Sequence, residues 1–340
     1  AARTISRPTT VGGVVSVNLG SNPGTANVLE LSDAELDQIT AGVLEIGSTG
    51  TGSLSITAAV SLATASVDTL HLITGSTVTQ AAALVADDFA VEAGGNVTLN
   101  NTGNDFINVA VTTTGVSSIS VTDTNSLAVG TVDGVAGLTT GTGSISLAAQ
   151  TSINLDTATS DVTTGGMFSA TADSNGDGTG SYSQNDAGAA VTITDNTVTI
   201  SGADFILTGT IASGSGGITL HNSHTAGAAI GVGAGGQAFD IEDSELDQIT
   251  TTGTLTIGGA NTTAIVVDGV TDPANISTFV LSATRDAATI TFENTASSFN
   301  VLTANADDGI TVNVGLSTDN GALILDGDAD NTADTADRVA

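Results

Sequence analysis

Along most of the chain, apolar side chains alternate with Thr, Ser or Asn in short runs, and Gly, Asn or Asp closes each run. Alternation of period two is the signature of a strand with one buried face. Leu54/Ile56, Ile145/Leu147, Ile153/Leu155 and Ile218/Leu220 are such pairs, expected to point inward with Thr and Ser on the outer face. The pattern also recurs at long range. Leu70-His71-Leu72-Ile73-Thr74-Gly75-Ser76-Thr77-Val78-Thr79 matches Phe89-Ala90-Val91-Glu92-Ala93-Gly94-Gly95-Asn96-Val97-Thr98, 19 positions later. Each copy reads as a strand, a Gly turn and a second short strand.

One block breaks the alternation twice. Asp33-Ala34-Glu35-Leu36-Asp37-Gln38-Ile39-Thr40 returns as Asp243-Ser244-Glu245-Leu246-Asp247-Gln248-Ile249-Thr250, with a single residue changed. Ser32 and Glu35 have capping-box spacing, and Asp33 and Asp243 are alternative N-caps. Leu36 with Ile39, and Leu246 with Ile249, fall on one helical face. Each block is therefore expected to be a short helical turn lying over a β-core, beside Leu29/Leu31 or Phe239/Ile241. Both copies run on into similar segments, Leu44-Glu45-Ile46-Gly47 and Leu255-Thr256-Ile257-Gly258.

The intervals after the blocks separate two architectures. Asn101 follows Glu35 by 66 positions, and the corresponding Asn294 follows Glu245 by 49, a difference of 17. Asp173 follows Phe106 by 67 positions and Asp326 follows Phe299 by 27, a difference of 40. Changes of about one and two periods are what gain or loss of whole coils leaves behind. A sandwich losing that much would lose several strands of a closed core. The expected fold is all-β: a right-handed parallel β-helix (β-solenoid) with coils of about 20 residues and short helical turns. It is expected to run unbroken over residues 1–340, with related blocks at about 30–173 and 240–330. Tandem β-sandwich domains are the alternative.

Composition narrows the function. The 340 residues carry 36 Asp and Glu against four Arg and no Lys, a formal charge of −32, and only 3% are aromatic. Nucleic-acid binding needs a basic footprint, so it is set aside, as is docking on anionic lipid. No apolar run reaches membrane-spanning length. With no Cys there is neither a disulfide nor a thiolate site. The start Ala1-Ala2-Arg3 suggests a processed product or a piece of something longer.

Two loops carry candidate chemistry. Asp173-Ser174-Asn175-Gly176-Asp177-Gly178 has the D-x-N-x-D-G spacing that opens a calcium loop, with Asp173, Asn175 and Asp177 as oxygen ligands. Gln184 stands at its twelfth position. Asp326, Asp328 and Asp330 repeat the spacing, with Asp337 at twelve. Calcium is the cofactor these residues point to; a metal-free Asx turn is the plainer account. Catalysis is not expected. The acid pairs Asp87-Asp88 and Asp307-Asp308 lack Lys or Arg partners, and His221 and His224 are three apart, which fits no known zinc signature.

The order of segments resembles the filamentous-haemagglutinin-type β-strand-repeat exoproteins of Gram-negative bacteria. The residues carrying it are 31–42, 91–99, 127–135 and 140–147, beginning with the Leu31-Ser32-Asp33 run. That resemblance implies secretion, a location outside the cell or on its surface, and structural or adhesive work. The expected function is a self-assembling scaffold, fibre or surface-layer subunit. The alternative is an adhesin recognising glycans or cell-surface components.

Overall fold

The alternating runs become parallel β-structure. The computed structural model describes residues 2–8, 14–62, 66–271, 273–332 and 338–340. Two compact units divide at Met167/Phe168, and each holds one copy of the duplicated block. Within each unit every described ladder is parallel except one, Thr131–Val132 against Val135–Ala136. Sandwiches are built from antiparallel neighbours, so the fold is the parallel β-solenoid.

In the first unit successive coils build two sheets. Arg3–Ser6, Ala41–Ser48, Val67–Thr74, Leu84–Ala93 and Asp105–Thr113 stack in that order as the first sheet. Ser16–Gly20, Leu54–Ile56, Val78–Gln80, Val97–Leu99, Ile119–Asp123 and Ile145–Ala149 stack as the second. Leu44, Leu70, Phe89 and Val109 from the first sheet, and Leu54, Val97, Ile119 and Ile145 from the second, are buried. Each such side chain contributes about 1.5–3 kcal/mol. Leu70 pairs with Phe89 and Phe89 with Val109, so the short period expected from the sequence is the coil found there. Other coils are longer, as the pairing of Leu44 with Leu70 and of Ile119 with Ile145 shows.

The second unit repeats the plan. Phe168–Thr171, Val198–Gly202, Ile218–Asn222, Ile249–Gly259, Ile276–Ala283, Leu302–Ala306 and Leu323–Asp326 form one stack. Ala228–Gly233, Thr262–Asp268, Thr289–Phe292 and Ile310–Val312 form another. Rings stack where coils meet: Phe89 lies 4.9 Å from Phe106, and Phe279 meets Phe299 edge-on at 5.0 Å.

The duplicated blocks sit in matching oversized coils. Val17 pairs with Leu54 and Ile218 with Leu255, the same long step in both units. Each enlargement adds a parallel strand, Val28–Ser32 or Phe239–Ile241, and then a helical turn, Asp33–Leu36 or Asp243–Leu246. The first turn has the expected capping box, with the Glu35 carboxylate accepting the Ser32 N–H at 2.8 Å. Asp33 and Asp243 do not cap; they are the first helical residues. Each reaches 28 residues forward instead, accepting the N–H of Ser61 at 2.9 Å or Thr271 at 2.8 Å. Gly47 and Gly258 kink the next strands at φ 95° and 96°; a Cβ there would collide with the carbonyl oxygen of Ile73 or Ser282.

Candidate functional site

The Asp173 loop is a tight turn whose carboxylate oxygens accept hydrogen bonds from its own backbone and from Ser223. Asp173 is buried, with φ 52°, and Gly178 adopts φ 87°, the sharp turn that position six requires. One Asp173 oxygen accepts the Asp177 N–H at 3.0 Å; the other accepts the Gly178 N–H at 3.0 Å and the Ser223 hydroxyl at 2.5 Å. Asn175 donates to Asp177 at 3.0 Å, and Asp177 also accepts from Thr179. These bonds, led by the one from the Thr179 side chain, hold the Asp177 carboxyl below the usual carboxylate range. The loop docks on Ser223 and Thr225, whose hydroxyl donates to the Gly176 carbonyl at 3.1 Å. Gln184 does not return to it: buried beside Tyr182, its amide donates to the carbonyls of Ala189 and Thr210.

At the second loop, Asp326 accepts the Asp328 N–H at 3.2 Å, and Asp330 accepts the N–H and hydroxyl of Thr332. One oxygen of Asp328 is buried with no hydrogen-bond partner. Asp337 lies outside the described residues. Among the described residues no three His, Asp or Glu side chains converge as a cation site. Asp326, Asp328 and Asp330 follow one another in sequence but their carboxylates do not converge.

The acid pairs have separate surroundings. Burial, then Asp88, Asp105 and Asp68, push the Asp87 carboxyl up. Asp307 is buried and accepts the Ala287 N–H at 2.7 Å; burial and nearby Asp330 push it up. His221 bonds its neighbour's carbonyl at 3.1 Å, and the His224 ring packs against Gly178.

A third cluster was not found from spacing. Arg3 bonds Glu45 at 2.7 Å and also Asp133; Arg7 bonds the other Glu45 oxygen at 2.8 Å. His71 Nδ1 lies 2.7 Å from Asp133, and its Nε2 faces only Glu92, at 3.3 Å and without hydrogen-bond alignment. Two of the four arginines and one of the three histidines thus meet on the outside of the first sheet. Arg7 and Arg3 hold Glu45 below the usual range. At Asp133 burial opposes ionisation, and His71 with Arg3 outweighs it.

Asp133 sits at the tip of the antiparallel hairpin. The long strand Asp105–Thr113 pairs with Leu127–Val129 and then Leu138–Thr139, and the residues between leave the sheet. Val132 and Val135 fold back onto Ala90 and Ala110. Asp133 at φ 47° and Gly134 at φ 86° make the turn, and Asp-Gly between two short strands is the local signal that marks it.

Among the described residues no helix is long and apolar enough to cross a membrane. No protein-family model, no curated protein and no solved structure matches this chain.

Proposed function

We propose that this chain is a subunit of an extracellular structural assembly, joining copies of itself by adding coil to coil. The observation that carries the reading is the free edge of Leu323–Asp326. That strand pairs on one side with Leu302–Asn305, and among the described residues nothing pairs with the other. Leu323 is 40% exposed and Ile324 50%. An unpaired edge is a template for another strand, and proteins that avoid this place Lys, Pro or a bulge there. This edge has neither Lys nor Pro. In the first unit Arg3–Ser6 pairs, among the described residues, on one side only, and Ile5 is 49% exposed. Joining two different edges is heterologous, which generates open filaments.

The location outside the cell rests on the resemblance to the haemagglutinin-type exoproteins. Calcium enters through Asp173, Asn175 and Asp177, and through Asp326, Asp328 and Asp330, where the unpartnered Asp328 oxygen is the atom a hard cation would take. Electron microscopy of the pure protein tests the reading. We expect filaments, fewer of them in chelator, and none from Ile324→Lys at equal concentration. Wild-type protein that stays monomeric at high concentration with calcium overturns it.

A further inference from the structure

From Leu54–Ile56 to Ile145–Ala149 the second sheet of the first unit presents an outer face without exposed charge, although the chain as a whole is strongly acidic and the end strand Val28–Ser32 sets Glu30 beside Asn18. The central row of that face runs through Ser55, Thr79, Thr98, Ser120 and Ser146, one residue from each successive coil. Rows of the same kind flank it. The segments forming this face and its turns are 49–62, 75–83, 94–104, 114–126 and 140–152, and Asp123 is their one ionisable residue. Asp123 is fully buried, accepting the N–H groups of Phe106 and Asn125 at 2.8 Å. The first sheet of the same coils carries Glu45, Glu92, Asp87, Asp88 and Asp105. Over these coils charge is therefore segregated by sheet.

We propose that this hydroxyl-and-amide face is where a second copy of the chain packs side by side. This deepens the assembly reading above and rests on it, adding a lateral contact to the end-to-end one. Three features favour a second copy as the occupant. Two chains of charge −32 repel wherever their acids meet. Where two such faces meet, Glu45, Glu92, Asp87 and Asp88 stay on the far sheet, about 10 Å behind each surface and beyond the Debye length of about 8 Å at physiological salt. Second, the face is self-complementary: equal rows repeat at about 4.8 Å, and short side chains let two such sheets interdigitate about a two-fold axis.

Third, many polar groups here are already bonded within the face. Ser120 donates to Asn100 at 2.6 Å, Asn96 accepts the Ser118 N–H at 3.0 Å, and the Ser118 hydroxyl accepts the Ser144 N–H at 3.1 Å. Covering groups that keep their partners removes most of the desolvation penalty. A sugar polymer would want free hydroxyls and an aromatic platform, and the face has no aromatic residue. The second unit carries a comparable row of its own, Ser169, Thr199, Thr219, Thr256, Val280 and Thr303.

The lateral contact is isolated in Ile324→Lys, whose end is blocked. Sedimentation equilibrium of that variant is expected to show dimers. Adding Thr79→Asp and Thr98→Asp should weaken dimerisation at least tenfold, with an unchanged circular-dichroism spectrum. The same charge placed on the first sheet, as Thr69→Asp, should have little effect. Because the chain has no Cys, Thr79→Cys, Thr98→Cys and Ser120→Cys form a second test: oxidation should cross-link at least one of them, and not Thr69→Cys. A monomeric Ile324→Lys protein whose face cysteines never cross-link overturns the lateral contact, while wild-type filaments would leave the end-to-end reading standing. Dextran binding that Thr79→Asp with Thr98→Asp abolishes, without dimers, would assign the face to a neutral glycan instead.

Discussion

Glu35 and Glu245 hold the same place in the duplicated block and titrate in opposite directions. Glu35 is exposed; the Ser32 N–H and hydroxyl hold its carboxyl below the usual range. Glu245 is pushed up to about 7, first by burial, with Glu242 and Asp204 adding to it against the N–H groups of Leu207 and Glu242. Between the unfolded carboxyl range and about pH 7, native protein holds a proton that unfolded chain has released. Stability from this group therefore falls as pH rises across that window. Glu245→Gln should flatten that part of the melting-temperature profile, and parallel profiles for variant and wild type would contradict the assignment. Thr164 shows how coil corners are satisfied. Its buried hydroxyl donates to the Gly143 carbonyl and accepts the Gly166 N–H at 2.8 Å. Thr164→Val should cost about 1–3 kcal/mol in equilibrium denaturation, because it strands buried backbone groups. Thr74 does the same with Gly52 and Ser76, so the frequent Thr-Gly pairs record a corner rather than a loose linker.

The elements behave in two ways. Strands follow their alternation, and the helical turn over Asp33–Leu36 follows its capping box, so both were legible from neighbouring residues. The hairpin is different, because what holds it lies far away in sequence. Arg3 is 130 residues from Asp133, and His71 is 62. Removing the carboxylate in Asp133→Ala should cost about 1.5–3 kcal/mol, the range for hydrogen bonds to charged groups, with the exposed Arg3 pulling it to the low end. Hydrogen exchange should rise at Val132 and Val135 and stay unchanged along Val97–Leu99. Uniform loss of protection over the unit would mean that the hairpin is part of the core. Asp33 and Asp243 make the same point: their side chains suit a cap, yet backbone groups 28 residues ahead claim them.

For the whole molecule, charge sets the conditions of assembly. Raising ionic strength from about 0.01 to 0.15 M shortens the Debye length from about 30 to 8 Å. Association should strengthen across that range, the reverse of a contact made by opposite charges. Weaker association at higher salt would place the joining surfaces at the Arg3 and Arg7 edge and the acids. Calcium added at constant ionic strength separates site binding from screening: an extra gain lost in Asp328→Asn would locate it in the Asp326–Asp330 loop.

The sequence by itself determined the strand content, the parallel solenoid, the short coil period and the two short helical turns, the first with its cap. Each of these is written in residues a few positions apart or in a repeat of fixed period, and short-range geometry makes such patterns readable. Leu70 against Phe89 was visible as a match between two segments and is a native pair. Only the tertiary structure decided which outer rows share a sheet. It brought Arg3, Glu45, His71, Glu92 and Asp133 together, and it kept acids off the coils from Ser55 to Ser146 on the face through Thr79 and Thr98. The physical reason is register. A coil that closes from Leu70 to Phe89 and one that closes from Val17 to Leu54 differ almost twofold in length, which shifts the side chains that lie side by side. Stacking, not local preference, fixes those lengths.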